Sequence, residues 1–122
     1  MKNKTLFPKR GEIYLVNFDP TVGAEMKKTR PALILQNDIA NKYSAITIIA
    51  AITSQFELPL YPTEVLLDSS ACRLDKESVI VLNQIRSIDK TRLIKKIGEI
   101  PAKSLQQIEI ALKISLGLIK IE

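Results

Sequence analysis

Three places in the chain hold polar side chains at the ends of apolar, strand-like runs. Arg30 directly precedes PALIL (31–35). Thr53, Ser54 and Gln55 follow AITIIAAI (45–52). Gln84, Arg86 and Ser87 lie on or just beyond SVIVLN (78–83). Side chains at strand ends are held by a rigid sheet yet open to solvent, the usual placement for a site. Each also has an ordinary structural reading: Thr53 and Ser54 as turn residues, Gln84 as an edge residue, Arg30 and Arg86 as solvated charges. Arg30 has the most pointed context. Pro31 biases its backbone towards extended conformations, so its side chain projects from a fixed place. A guanidinium stays charged and matches a phosphate with two parallel N–H donors. Lys27 and Lys28 add positive potential beside it.

The composition narrows the chemistry. The chain has no histidine and one cysteine, Cys72. Ser-His-Asp and Cys-His catalysis, Cys-based zinc sites and an internal disulfide are therefore excluded. Cys72 reads as a small buried or half-buried filler. What remains is Arg, Lys, Asp, Glu, Tyr, Ser and Thr. The formal net charge is +5 and the isoelectric point about 9.4. Either serves solubility or points to an anionic partner, nucleic acid first.

The 122 residues suit one domain spanning 1–122, able to bury roughly 65% of its unfolded surface. Residues 1–9 read as a flexible arm. The basic N-terminus has no apolar h-region or cleavage signal, and no apolar run approaches the ~18 residues of a membrane span. A cytoplasmic protein with no membrane association is expected. Strands are predicted over 11–18, 31–36, 45–52, 63–68 and 78–88, from β-branched and aromatic content. Pro31 is expected to open its strand. The run 45–52 is apolar throughout, so both its faces are expected to be covered. NDIANKYS (37–44) reads as a turn with one helical turn, 56–62 as irregular, DKTRLIKK (89–96) as a short helix, and KKIGEI (95–100) as a last edge strand. Leu105, Ile108, Leu112, Leu116 and Ile119 step by 3, 4, 4 and 3 residues, the face of a C-terminal helix entered near Pro101. Ile110, Ile114 and Leu118 widen that arc, which suits a helix packed on its own sheet and on a second subunit. The fold class is α+β, mainly β: a twisted antiparallel sheet or small SH3-like barrel with a C-terminal helix, without a βαβ rhythm.

Five blocks in order resemble the MazF/PemK-type toxins, bacterial endoribonucleases of toxin–antitoxin pairs. They are RGEIYLVNFDPTVGAE (10–25) with TRPALILQND (29–38), AAITSQ (50–55), LNQIRSIDKTRL (82–93) and ALKISLGLI (111–119). The resemblance implies a CcdB/PemK-like fold, a homodimer, and sequence-specific cleavage of single-stranded RNA without metal or cofactor. The substrate's 2′-OH would attack the adjacent phosphorus, leaving a 2′,3′-cyclic phosphate and a 5′-hydroxyl. By the same resemblance Arg30, Thr53 and Glu25 are the catalytic residues. Lys27, Lys28, Ser54, Gln55, Gln84, Arg86 and Ser87 are assigned to RNA binding, and an acidic antitoxin is the inhibitory partner. A substrate that supplies its own nucleophile needs no histidine or cysteine from the protein. It needs charge stabilised on the phosphorane and two proton transfers assisted. Arginine is essentially never deprotonated, which makes Glu25 the better-matched proton acceptor, although it would serve equally as a loop anchor paired with Arg30. Many relatives carry small residues where this chain has Met26-Lys27-Lys28-Thr29, so no target sequence is carried over.

Three other readings stay open. A small basic barrel could bind nucleic acid without cutting it, although three tyrosines and three phenylalanines make a poor stacking platform. Asp19 with Glu25-Met26-Lys27 faintly resembles a metal nuclease's acidic set. Gyrase-targeting toxins share the fold class, and fold alone does not fix function.

Overall fold

A computed structural model describes residues 7–18 and 29–121. Six strands form one antiparallel sheet: β1 Glu12–Asn17, β2 Thr29–Ile34, β3 Ile46–Thr53, β4 Glu64–Leu67, β5 Ser78–Asp89 and β6 Leu93–Glu99. Their order across the sheet is β4-β5-β3-β2-β1-β6. Three helices punctuate it: α1 Asp38–Tyr43, α2 Ser69–Cys72 and α3 Ala102–Ser115. This is the mainly β, α+β arrangement with a C-terminal helix that the sequence predicts. No helix among the described residues is long and apolar enough to cross a membrane.

The sheet is apolar on both faces because its central strand is. Ala50 and Ile52 of β3 enter the larger core with Ile13, Leu33, Ile80 and Leu82, closed by Ile108 and Ala111 of α3. Ile49 points the other way, into a smaller cluster with Val16, Ala32, Ile34 and Ile88. Cys72 is fully buried in the larger core, the filler role expected of it.

Three expectations change. The helix expected over 89–96 is a single 3-10 turn, Lys90–Arg92, after which β6 begins at Leu93. Asp89 closes that turn by accepting from the Thr91 backbone N–H at 2.8 Å and its hydroxyl at 2.7 Å, and β1 then captures the chain as an edge strand. The C-terminal stripe holds only as far as α3 does. Ile108 is buried and Leu105 and Leu112 pack beside it, whereas Leu116 is the C-cap and Ile119 lies past the helix end; both are exposed. Gly117, in the left-handed region at φ 76°, marks that end as a C′ residue does. Of the expected arm, residues 1–6 lie outside the described residues, while Pro8 is buried.

The Arg10-Gly11 pair ties the chain's start to distant elements. Gly11 has φ 95°, a conformation costly for residues with a Cβ. It lets the Gly11 N–H reach Ile34 O at 2.9 Å while its carbonyl accepts from Ile100 N–H at 2.8 Å. Arg10 donates through Nε to Leu35 O and through Nη2 to Glu109 Oε2, both at 3.1 Å. Its backbone N–H reaches Asp38 Oδ1 at 2.7 Å.

Asn41, completely buried on α1, is the hub of the polar end. Its Oδ1 accepts from Thr47 Oγ1 at 2.8 Å and Gln36 Nε2 at 2.9 Å. Its Nδ2 donates to Gln36 O at 2.9 Å, and its carbonyl takes the Lys90 ammonium at 2.6 Å. Asn41→Ala strands the buried Thr47 hydroxyl and should cost about 1–3 kcal/mol. Urea unfolding should show this as a lowered midpoint with an unchanged slope; an unchanged midpoint would refute the hub.

Candidate active site

The ladder between β2 and β3 is short. It pairs Ala32 with Ala51, Leu33 with Ala50 and Ile34 with Ile49, and it stops beside Pro31. Proline has no N–H to carry a ladder on. On its other side β2 pairs with β1 as far as Asn17 opposite Thr29. Pro31 therefore lies third in its strand, two residues later than expected. It opens the strand only towards β3. Continued by two residues, the β2–β3 register would set Arg30 opposite Thr53. The two side chains thus flank the point where the strands stop bonding.

A cavity of about 690 Å³ opens there, lined by Arg30, Pro31, Ile52, Thr53, Ser54 and Gln55 from this strand end. Leu15, Lys95 and Ile97 contribute from β1 and β6, and Arg73, Leu74, Asp75, Lys76 and Ser78 from the segment linking α2 to β5. Among the described residues, Arg30 has no ion-pair partner. Thr53 Oγ1 accepts the Gln55 backbone N–H at 3.0 Å. That turn occupies an oxygen lone pair and leaves the hydroxyl hydrogen to donate elsewhere. The lining thus includes a guanidinium with parallel N–H donors and a hydroxyl whose hydrogen is free to donate.

The second wall was not singled out in the sequence. Arg73, Lys76 and Lys95 bring positive charge, and Asp75 is the one carboxylate among the described lining residues. The dense charges of CRLDKES (72–78) were the available signal, but nothing in the sequence shows that this turn folds back onto β6. Gly98 is what permits it. A Cβ there would overlap the Cys72 carbonyl oxygen and press on Arg73 Cβ. Cys72, one residue from the wall, is no nucleophile: it is buried, and burial, aided by Asp68, pushes its thiol pKa up, away from the reactive thiolate.

The remaining sequence candidates lie elsewhere. Gln84 falls where Leu82, Asn83 and Gln84 are extruded from the β3–β5 ladder, between the pairs Ala51–Val81 and Ala50–Ile85. Arg86, opposite Ile49, places its guanidinium 5.4 Å from the centre of the Phe18 ring, within cation–π range. Ser87 is an exposed residue opposite Ile48. None of the three is among the residues lining the cavity. Glu25, Lys27, Lys28 and the Asp19/Glu25 acidic pair lie outside the described residues. Among the described residues no cluster of three or more Asp, Glu or Cys side chains could hold a metal ion.

The profile of the PemK-like, MazF-like toxins of type II toxin–antitoxin systems matches residues 9–116. The chain belongs to this family. It is 43% identical over 111 residues to endoribonuclease EndoA of Bacillus subtilis strain 168, covering 91% of this chain and 96% of the relative. With endoribonuclease MazF of Staphylococcus saprophyticus it shares 44% over 110 residues, 90% of this chain and 92% of the relative. The crystal structure of MazF from Deinococcus radiodurans superposes with a TM-score of 0.75 at 28% identity, covering 92% of this chain and 98% of that one. A MazE–MazF crystal structure from the same organism gives 0.73 at 25%, covering 92% and 97%. In this chain Arg30 and Thr53 both line the cavity at the strand end.

The second wall depends on Gly98. Gly98→Ala forces backbone against backbone and should lower stability by about 1–3 kcal/mol, as overpacking does, despite the smaller gain from a stiffer unfolded chain. A urea midpoint equal to that of the native chain would show that the turn at Arg73 is not held against β6.

Proposed function

We propose that this chain is a metal-independent endoribonuclease toxin that cuts single-stranded RNA at a short sequence. The observation that carries the reading is the cavity between Arg30 and Thr53, in a chain closely related to proteins named endoribonuclease. In the proposed reaction the 2′-OH of the RNA attacks the neighbouring phosphorus. The P–O5′ bond breaks, leaving a 2′,3′-cyclic phosphate on one fragment and a 5′-hydroxyl on the other. Arg30 receives the negative charge that grows on the non-bridging oxygens. Thr53 donates its hydroxyl hydrogen to the same oxygens, its own oxygen being engaged by the Gln55 N–H. Both donors are in place before the substrate arrives, which is where most of such catalysis resides. Glu25 is proposed as the proton acceptor, on the resemblance and on its pKa class. Ser54 and Gln55 line the same cavity and are proposed to touch the RNA. Lys27, Lys28, Gln84, Arg86 and Ser87 would guide the strand outside it.

The chain is further proposed to work in the cytoplasm as a homodimer silenced by an acidic antitoxin. A net charge of +5 favours an acidic partner. Ile110, Leu116, Leu118, Ile119 and Ile121 are large apolar side chains left exposed at the C-terminal end, which supports a covering subunit.

The test is purified protein on mixed-sequence RNA in excess EDTA, with fragment ends read by mass spectrometry. Cuts at one short motif bearing 2′,3′-cyclic phosphate are expected. Arg30→Ala and the near-isosteric Thr53→Val should each lower kcat by about 10²–10³ while leaving the unfolding curve nearly unchanged. Failure of the well-folded native chain to cut any RNA, or cutting that EDTA abolishes, would overturn the reading.

A further inference from the structure

The cavity is larger than the proposed chemistry requires. Its volume of about 690 Å³ and its fourteen lining residues extend well beyond the Arg30–Thr53 strand end. A phosphate has five heavy atoms. Arg30 and Thr53 occupy one side, while Arg73, Lys76 and Lys95 stand in the lining with a single described carboxylate, Asp75. Arg73, Lys76 and Lys95 are exposed, and four cations along one lining raise the local positive potential and attract an anion.

Arg73 adds an independent observation. It caps α2 in the left-handed conformation, φ 61° and ψ 39°. The N–H of Leu74 reaches Ser69 O at 2.8 Å and that of Arg73 reaches Ser70 O at 3.3 Å. This is a Schellman-type helix end, whose left-handed position is normally glycine. An arginine there is strained, and strain of this kind collects at functional positions. The turn is also pressed on Gly98, three residues from Lys95 on β6, so the backbone of both arms of the cation set is held in place.

We propose that Arg73, Lys76 and Lys95 form a second phosphate subsite. It would grip the RNA strand by the backbone phosphate next to the one held by Arg30 and Thr53. This rests on the endoribonuclease reading and adds a binding role: the second grip holds the strand equally before and during the reaction. No bond is made or broken at this subsite.

The probe is mixed-sequence single-stranded 2′-O-methyl RNA, which lacks the nucleophile and can be bound without being cut. Affinity is measured against salt, and cleavage of ordinary RNA is followed in parallel. Each phosphate contact on a single strand contributes about 0.7 to the slope of log affinity against log salt. Arg73→Gly should lower that slope by about 0.7 while raising the melting temperature, because glycine relieves the left-handed strain. A merely structural arginine would give the opposite melting shift. Adding Lys76→Gln and Lys95→Gln should bring the loss in slope to about 2, with KM raised and kcat little changed. An unchanged slope in the triple variant, with native cleavage intact, overturns the subsite and leaves the endoribonuclease reading standing. The same unchanged slope with weakened binding of poly-glutamate overturns it in favour of an acidic polypeptide. Slope losses as expected in a native chain that cuts no RNA would support the subsite and sink the cleavage reading. A native chain that binds no RNA overturns both.

Discussion

A missing hydrogen-bond donor shapes the working end of this protein. Pro31 has no N–H, and the β2–β3 ladder ends beside it at Ala32 and Ala51. On the other side of β2 the pairing with β1 continues through Arg30 to Thr29. One strand is thus held firmly by one neighbour and released by the other. The release creates concave space, and the grip keeps the backbone of Arg30 in a defined position. Two residues that a continued ladder would bring together, Arg30 and Thr53, instead border a cavity. The neighbouring apolar residues anchor the arrangement. Leu33, Ala50 and Ile52 belong to the larger core, and Ala32 and Ile49 to the smaller cluster on the opposite face. Strand ends anchored from both sides have little freedom to reposition a side chain, which is what preorganised electrostatics require.

The other wall is built on a different principle. β6 and the α2–β5 segment share no ladder; they meet because Gly98 removes a Cβ at the contact with Cys72. The thiol of Cys72 is buried in the larger core while its carbonyl lies against β6. The helix end that follows, with Arg73 left-handed, reverses the chain so that Leu74, Asp75 and Lys76 face the cavity. Local strain and close backbone approach do here what hydrogen-bond termination does at Pro31.

The residues legible in the sequence were those whose signal is local. The strand runs 45–52 and 78–88 lie within a residue of their expected bounds, and the helix face of Leu105, Ile108 and Leu112 and the buried cysteine stand as read from periodicity and composition, although the helix ends at Ser115, short of Ile119. Arg30 drew notice because Pro31 follows it and Thr53 because an apolar strand precedes it, while only the family resemblance paired them; both line the cavity. The misreadings had nonlocal causes. Leu93 to Lys96 carries residues acceptable to either a helix or an edge strand, and the free edge of β1 decides the matter. Arg73, Lys76 and Lys95 share a cavity only because Gly98 permits the approach, and glycine in a strand has several possible reasons. Gln84, Arg86 and Ser87 follow an apolar run as Thr53 does. Arg86 and Ser87 pair with Ile49 and Ile48, well back along β3 from Thr53, and none of the three joins this cavity's lining.

The absence of histidine then becomes informative about how such a site can work. No side chain type in this chain has an unperturbed pKa between pH 5 and 8, and the one thiol is buried with its pKa raised. Among the described residues, the cavity lining holds no group that titrates near neutrality without being perturbed. It offers fixed charge and fixed dipoles: guanidinium and ammonium groups on two walls and an oriented hydroxyl between strand ends. Such groups stabilise charge that develops on a bound phosphate, and they suit a substrate whose nucleophile lies within its own backbone. The sheet contributes position rather than reactivity. Its accuracy is set by the pairings nearest the cavity, Ala32 with Ala51 on one wall and Gly98 against Cys72 on the other.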